Sequence, residues 1–304
     1  MSVKTVQAII NGVTTTLTLN SETGKYEATI TAPGKSSYNN NTGHYFPVTI
    51  KATDDAGNTT TVTDEHAELG DSLKLQVKEK VAPVITITYP SASAALTNNK
   101  PVIKWKVTDD DSGVNPATIG ITVDSGSKIT GEAITKEKIS DGYECSYTHA
   151  SALSDGSHTI KVDASDNDGN AATQKAVTFK VDTVPPTLNI NSPVEGYITN
   201  NPEITLEGTT NDATSSPVKV SYKLNNGQVT PISVGPDGKF SVKITGISGV
   251  NTLVVTARDN AGKETVITRK FTVDTGAPVV RSITINPNPV DAGKTYIISV
   301  DVTD

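Results

Sequence analysis

The chain has 304 residues, enough for two or three domains, and its formal charge of −7 excludes a surface that grips nucleic-acid phosphates. Its hydrophobic fraction of 35% and aromatic fraction of 5% favour short strands and turns over amphipathic helices. The single cysteine excludes an intrachain disulfide and a cysteine-rich zinc site, and no apolar run reaches the length of about 18 residues that membrane insertion requires.

The first predicted elements are strands that recur later in the chain. The stretch QAIINGVTTTLTLNSETGKYEATI contains Gly12 and Gly24, which match Gly227 and Gly238 in SYKLNNGQVTPISVGPDGKFSVKI. This match predicts that the chain starts in the middle of a repeat. We predict that residues 1–81 form an incomplete module that lacks its first strands.

The longest irregular stretch follows, APGKSSYNNNTGHYFP at Ala32–Pro47. Four rings lie among its asparagine, serine and glycine residues: Tyr38, His44, Tyr45 and Phe46. Aromatic faces and adaptable polar groups on loops commonly meet carbohydrate or protein surfaces. We predict that these rings contact a ligand; the alternative is an ordinary loop whose rings cover the edge of an incomplete module.

A hairpin comes next and occurs three times, as VTIKATDDAG, TIKVDASDNDG and TLVVTARDNAG. Apolar side chains alternate along each first strand, which indicates one buried face. A glycine ends each turn and supplies the positive φ that a hairpin needs. Each strand reaches an aspartate before the turn: Asp54, Asp166 and Asp259.

Segments with proline follow the hairpins: VKEKVAP, VDTVPP and VDTGAP. Proline removes a ladder donor and fixes φ, so each segment ends one strand and marks a junction. The predicted modules are residues 1–81, 82–183, 184–275 and 276–304, and the last contains only two strands. Within the second module, we predict that Trp105 and Cys145 fill the core.

Acidic loops in the second module suggest a calcium site, because Ca²⁺ takes six to eight oxygen ligands. The stretch TDDDSG lies on one loop, DNDGN lies on the hairpin, and alternate loops gather at one end of a β-sandwich. The predicted ligands are Asp109, Asp110, Asp111, Asp166, Asp168 and Asp182. The alternative is that aspartate and asparagine occupy these turns for backbone reasons alone. No other cofactor is predicted.

Short strands with closely spaced turn signals predict an all-β fold of tandem immunoglobulin-like antiparallel β-sandwiches in an elongated array. The stretch LSDGSHTIKVDASDNDGN, followed by VDTVPP, resembles the bacterial immunoglobulin-like repeats of surface adhesins and phage virion proteins. The resemblance implies a non-catalytic array and identifies no ligand. The four histidines are scattered and lie in no nucleophile or metal motif, so we predict that the chain is not an enzyme.

The predicted function is a structural or adhesive spacer outside the cell. It would belong to a phage or phage-like tail or fibre, or to a bacterial surface adhesin, and would meet a host or neighbouring cell-surface glycan or protein. The alternative is a set of carbohydrate-binding accessory modules of a larger secreted enzyme. The opening MSVKTVQAIINGV has no secretory signal, so an extracellular, cell-surface or virion location is expected without a signal peptide in this chain.

The two ends suggest self-association. Residues 276–304 supply the two strands that residues 1–81 lack, so the end of one chain could complete the start of another by strand addition. Such a head-to-tail contact builds a homo-oligomer that need not close. The alternatives are an out-of-phase piece of a longer repeat protein, or a first module that manages with fewer strands.

Overall fold

The computed structural model describes residues 2–304, and the chain forms two compact units. The first contains residues up to Ala94 with Lys100–Leu153 and Ser157–Lys180; the second contains Ala95–Asn99, Ser154–Gly156 and Val181–Asp304. Within residues 2–304 the regular structure is β-strand plus two short 3₁₀ turns, Gly70–Leu73 and Gly131–Ala133, so the predicted all-β class is confirmed. No helix in this range is long and apolar enough to cross a lipid bilayer.

The strands fall into four groups along the chain. Before residue 82 they are β1 (Val3–Ile10), β2 (Val13–Asn20), β3 (Lys25–Glu27), β4 (Phe46–Asp54), β5 (Thr59–Val62) and β6 (Lys74–Leu75). The next group is β7 (Val84–Tyr89), β8 (Ala95–Leu96), β9 (Val102–Thr108), β10 (Gly120–Val123), β11 (Thr135–Ile139), β12 (Gly142–Thr148), β13 (Gly156–Asp163) and β14 (Lys175–Val181). The third is β15 (Thr187–Ser192), β16 (Tyr197–Thr199), β17 (Glu203–Asn211), β18 (Lys219–Leu224), β19 (Thr230–Ile232), β20 (Lys239–Thr245), β21 (Gly249–Arg258) and β22 (Glu264–Val273). The last is β23 (Val279–Asn286) and β24 (Ile297–Thr303).

The N-terminal segment forms one sheet instead of a sandwich. Its strand order is β3-β2-β1-β4-β5, with β6 paired to β4. A tight turn joins β1 to β2 at Asn11 and Gly12, which both have positive φ (48° and 76°) as the twist of a two-residue hairpin requires. The predicted match to Gly238 would give this segment a long strand like β20, but Lys25–Glu27 is short and pairs with β2.

The second repeat packs two sheets face to face. One has the order β11-β12-β9-β7, and in the other β13 lies between β10 and β14. Along β9, Ile103, Trp105 and Val107 are at most 1% exposed while the residues between them face solvent, which is the alternation of a half-buried strand. Cys145 lies opposite Trp105 in the register of β12 and β9 and is buried, so both predicted core positions are confirmed.

The third repeat has the same two-sheet plan, with orders β15-β17-β20 and β16-β22-β21-β18-β19. The short strand β16 runs parallel to β22, an exception to the predicted antiparallel pairing. Its core is a continuous apolar cluster that includes Leu206, Phe240, Leu253, Val255 and Phe271.

The last two strands form a hairpin whose side chains are exposed on both faces.

If this hairpin pairs with another copy of the chain, the weight-average mass of the protein in analytical ultracentrifugation should rise with concentration. Changing the paired residues Ile285 and Ile298 to lysine should hold the protein monomeric, because two charges on the apolar face of the hairpin oppose its burial against another copy. The matched control is Thr284→Lys with Ser299→Lys, a pair adjacent in the same register. A wild-type chain that stays monomeric at every concentration would contradict the hypothesis.

Candidate cation sites

The hairpin aspartates first serve the turn. Asp54, Asp166 and Asp259 each accept, through Oδ1, the backbone N–H of the residue four positions later, at 2.8, 2.7 and 2.9 Å. Each also donates its own backbone N–H to the carbonyl of that residue, at 3.0–3.1 Å. One carboxylate oxygen of each aspartate is therefore used to close the hairpin, as the turn interpretation predicts.

A first cluster of carboxylates lies in the first unit. Glu79, Asp109 and Asp166 each bring one carboxylate oxygen within 4.8 Å of the others. Asp109 Oδ1 accepts the backbone N–H of Gly113 at 2.7 Å, and Glu79 Oε1 accepts that of Ser112 at 2.7 Å. These contacts fix the loop after β9 against the segment that precedes β7.

The charge of this first cluster is partly compensated inside the protein. Asp166 Oδ2 accepts the side-chain amide of Asn170 at 2.6 Å. Burial raises the pKa of the Glu79 carboxyl, hydrogen bonds from Ser112 act in the opposite sense, and repulsion by Asp109 raises the pKa further. A raised pKa means that the site favours either a proton on Glu79 or a nearby positive charge.

A second cluster lies in the second unit and is more deeply buried. Asp182, Asp212 and Asp259 again bring one carboxylate oxygen each within 4.8 Å of the others, and these residues are 0%, 9% and 4% exposed. Two unit charges at this distance repel each other by roughly 3–4 kcal/mol for an effective dielectric constant of about 20. Three ionised carboxylates in this arrangement therefore require a compensating positive charge.

Backbone contacts hold the members of the second cluster in place. Asp182 Oδ1 accepts the N–H of Val184 at 3.2 Å, and Asp212 Oδ1 accepts the N–H groups of Thr214 and Ser215 at 2.8 and 2.5 Å. Asp182 also donates its N–H to the carbonyl of Leu96 in β8 at 2.8 Å. These hydrogen bonds orient the carboxylates of Asp182 and Asp212.

The predicted calcium ligands divide between these clusters and other roles. Asp109 and Asp166 join the first cluster and Asp182 joins the second, so the six residues do not form one site. Asp111 accepts the N–H of Ser36 at 3.0 and 3.1 Å, Asp168 accepts the N–H of Glu79 at 3.0 Å, and Asp110 is exposed. The remaining cluster members were not predicted: Glu79, Asp212 and Asp259.

The rings of the loop before β4 are largely engaged within the protein. Tyr38 and His44 stack with centroids 4.0 Å apart, and the Tyr45 hydroxyl donates to Asp64 at 2.8 Å. Phe46 is 5% exposed and packs inward, so it cannot present its ring to a ligand. Ligand contact by Tyr38, His44 and Tyr45 stays a prediction.

Cys145 and His158 belong to residue types that often carry out nucleophilic or acid–base chemistry, and both are buried in the second repeat. Burial raises the pKa of the Cys145 thiol to about 11, which keeps it protonated at neutral pH. His158 is buried in β13, and its Nδ1 lies 2.8 Å from Asp124 Oδ2 at the end of β10. This pair joins two neighbouring strands beneath the Phe179 ring, 5.9 Å from the imidazole.

Comparisons with known proteins agree with this architecture. Residues 88–183 match the family model described as bacterial Ig-like domain, and residues 186–275 match that of glucodextranase, domain B. These matches confirm the resemblance to bacterial immunoglobulin-like repeats that the sequence predicts. They cover the second and third repeats.

A curated relative and several solved structures match parts of this chain. Bacillopeptidase F of Bacillus subtilis (strain 168) is 28% identical over 131 residues, which is 43% of this chain and only 9% of that protein. The fibronectin(III)-like modules of Clostridium thermocellum CbhA are 16% identical with a TM-score of 0.38, over 63% of this chain and 94% of theirs. Rst D1-D2 is 14% identical with a TM-score of 0.38, over 62% of this chain and 99% of its own.

Proposed function

We propose that these immunoglobulin-like repeats are a non-catalytic spacer within a larger extracellular protein, where they hold other parts at a defined separation. The observation that carries the proposal is the short linker between the N-terminal segment and the second repeat, Val77–Pro83. This linker is hydrogen-bonded on both sides, whereas a flexible connection would leave its backbone groups to water.

The linker contacts are specific. On one side, Ser37 N–H donates to the Val77 carbonyl at 2.9 Å, and Val77 N–H donates to Ser37 Oγ at 3.0 Å. On the other side, Glu79 N–H donates to Asp168 Oδ2 at 3.0 Å, and the Asn170 side-chain amide donates to the Glu79 carbonyl at 3.2 Å. These hydrogen bonds hold the second repeat in a fixed orientation relative to the N-terminal segment.

The relatives support a setting for this spacer. Bacterial Ig-like domains and domain B of glucodextranase are parts of larger proteins, and Bacillopeptidase F is far longer than the region it shares with this chain. These likenesses support an accessory segment of a secreted enzyme or of a surface protein. A phage tail or fibre and an adhesin remain settings of the same spacer function, with the same demand for a stiff joint.

Distances between spin labels test the stiffness of the joint. Labels at Thr60→Cys and Lys138→Cys should give a narrow distance distribution, because the hydrogen bonds of the linker hold both repeats. Native Cys145 is buried and protonated and should stay unlabelled. Changing Ser37 and Asp168 together to alanine should broaden the distribution at least about twofold.

The control for this experiment is Ser125→Ala, a change at an exposed turn of the second repeat that leaves the linker intact. A broad distribution in the wild-type chain would contradict the spacer proposal. An unchanged distribution in the Ser37→Ala, Asp168→Ala variant would show that the named hydrogen bonds do not set the stiffness.

A further inference from the structure

The two carboxylate clusters are copies of one arrangement. Glu79 and Asp182 stand at the same distance before the linker prolines Pro83 and Pro186. Asp109 and Asp212 each follow the strand that pairs with the first strand of their repeat, β9 and β17. The third member is the hairpin aspartate. Each cluster therefore takes one carboxylate from the linker and two from the loops of the repeat that follows it.

The copies differ in how the hairpin aspartate is compensated. In the first cluster the Asn170 side chain donates to Asp166 Oδ2, and Asn58 does the same for Asp54 at 2.8 Å. In the second cluster the equivalent residue is Lys263, whose backbone N–H reaches Asp259 Oδ1. Asp259 Oδ2 is buried and makes no hydrogen bond within the described part of the chain.

The second cluster and its surroundings contain two further buried oxygens that make no hydrogen bond within the described residues. They are Asp182 Oδ2 and Ser215 Oγ, which have no hydrogen-bond partner among residues 2–304. The backbone N–H of Ser215 donates to Asp212 Oδ1. Buried charged oxygens are retained in proteins when they are paired or coordinate a metal. Here two such oxygens belong to a group of three converging carboxylates, which is the arrangement of a cation site.

We propose that Asp182, Asp212 and Asp259 bind one Ca²⁺ ion in the second unit. All the candidate donors are oxygens, which excludes the nitrogen and sulfur sets that Zn²⁺ prefers. Ca²⁺ accepts six to eight oxygens in irregular geometry, and loop carbonyls and water can complete its shell, whereas Mg²⁺ demands a near-ideal octahedron. The proposal goes beyond the spacer function and does not rest on it.

Calcium should bind the first cluster less tightly, because Asn170 already occupies an oxygen of Asp166. The structure therefore ranks two related sites by one residue, asparagine in the second repeat and lysine in the third. A calcium titration of one chain can therefore distinguish the two sites by their affinities.

The test uses the full chain after treatment with a chelator, titrated with CaCl₂ by calorimetry and followed by hydrogen exchange. Wild-type protein should bind Ca²⁺, and the ion should slow amide exchange in peptides that span residues 210–216 and 257–264. Asp259→Asn should weaken this binding by about 100-fold or more and remove the protection. Glu79→Gln should leave both readouts of the second site intact.

The asparagine variant separates a ligand from a merely structural carboxylate. Asparagine keeps the oxygen that accepts the Lys263 N–H and removes one negative charge. In chelator, Asp259→Asn should therefore melt no lower than the wild-type chain, while its calcium-dependent rise in melting temperature disappears. Asp237→Asn, an exposed carboxylate change in the same unit, should keep the calcium response.

Three results would overturn the proposal: no calcium-dependent protection of the two peptides in wild-type protein, full retention of that protection in Asp259→Asn, or a lower melting temperature of Asp259→Asn in chelator. The last result would assign the carboxylate to the turn alone. Protection by Mg²⁺ equal to that by Ca²⁺ would also contradict the assignment of the ion.

Discussion

Replacing Trp105 by alanine should lower the free energy of unfolding of the second repeat by about 3–5 kcal/mol. The side chain is 1% exposed at the centre of β9 and faces Ile87 and Cys145 on the strands to either side. Its loss leaves a cavity that a closed two-sheet core cannot fill by collapse, so the transfer and cavity costs add. Urea unfolding measures the change. It is followed by far-ultraviolet circular dichroism, because the substitution removes the only tryptophan of the chain and with it the tryptophan fluorescence signal.

Trp105→Phe is the informative comparison. The indole Nε1 is buried and has no hydrogen-bond partner within residues 2–304, so the native side chain already carries the cost of an unpaired donor. Phenylalanine removes that donor together with part of the ring, and we expect a loss below about 2 kcal/mol. Equal losses for alanine and phenylalanine would mean that the indole N–H is bonded, and that packing at this position is not what stabilises the repeat.

The strands could be predicted because their determinants are local. Leu253, Val255 and Ala257 are fully buried and alternate with the half-buried Val254 and Thr256, and Gly262 has the positive φ of 94° that the turn requires. The arrangement of the N-terminal segment is not local. Its GKYEATI stretch resembles β20, yet β20 pairs with β17, and the described residues 2–81 contain no strand equivalent to β17. Only Lys25–Glu27 remains extended, and it pairs with β2.

The carboxylate clusters were harder to predict because each draws on three separated positions. The predicted set combined two loops of the second repeat with Asp182 of the linker that follows them, whereas in the structure the carboxylate beside these loops is Glu79 of the linker that precedes them. Glu79 is a glutamate within a lysine-rich segment and does not stand out by composition. An alignment of the linkers on Pro83 and Pro186 places Glu79 opposite Asp182, and this was the signal that could have revealed it.

Asp212 was missed for a different reason. It follows β17 in the stretch NDATSSP, where the three consecutive aspartates that drew attention after β9 are absent. The equivalence of Asp109 and Asp212 depends on which strand each one follows, and strand pairing is not visible in a single sequence. Counting acidic residues therefore favoured Asp110 and Asp111, of which one is exposed and the other accepts a backbone N–H.

A second repeated feature connects the strand ends of the two repeats. Asp124 and Asn225 share a positive φ of 52°, and each accepts the N–H of a threonine, Thr159 or Thr252, at 2.8 Å. Asp124 contacts the buried His158, and Asn225 donates to the buried Asn251 at 3.0 Å. The same polar link is thus built once with an ionisable pair and once with two amides.

Replacing Asn251 by alanine should lower the free energy of unfolding of the third repeat by about 3 kcal/mol. The side chain is 0% exposed on β21, where it accepts the Ile247 N–H at 2.8 Å and donates to the carbonyls of Ile247 and Gly249 at 2.7 and 3.0 Å. Alanine leaves these backbone groups and the Asn225 amide without their partner at a position that is fully buried. Each unpaired buried group costs about 1–3 kcal/mol, and partial relaxation of the turn keeps the sum below the simple total.

Chemical denaturation of the full chain, with hydrogen exchange of peptides from β21, measures this loss and locates it. Thr256→Ala is the matched control, because it truncates a residue of the same strand at a position between the buried Val255 and Ala257. It should cost less than about 1 kcal/mol, since surface changes away from a hydrogen-bond network have small effects. If Asn251→Ala costs no more than this control, then the amide network does not stabilise the turn, and water satisfies the groups that the asparagine leaves behind. If the loss instead appears with faster exchange at Ile247 and Gly249, the network fixes the end of β21 from which the chain runs toward Asp259.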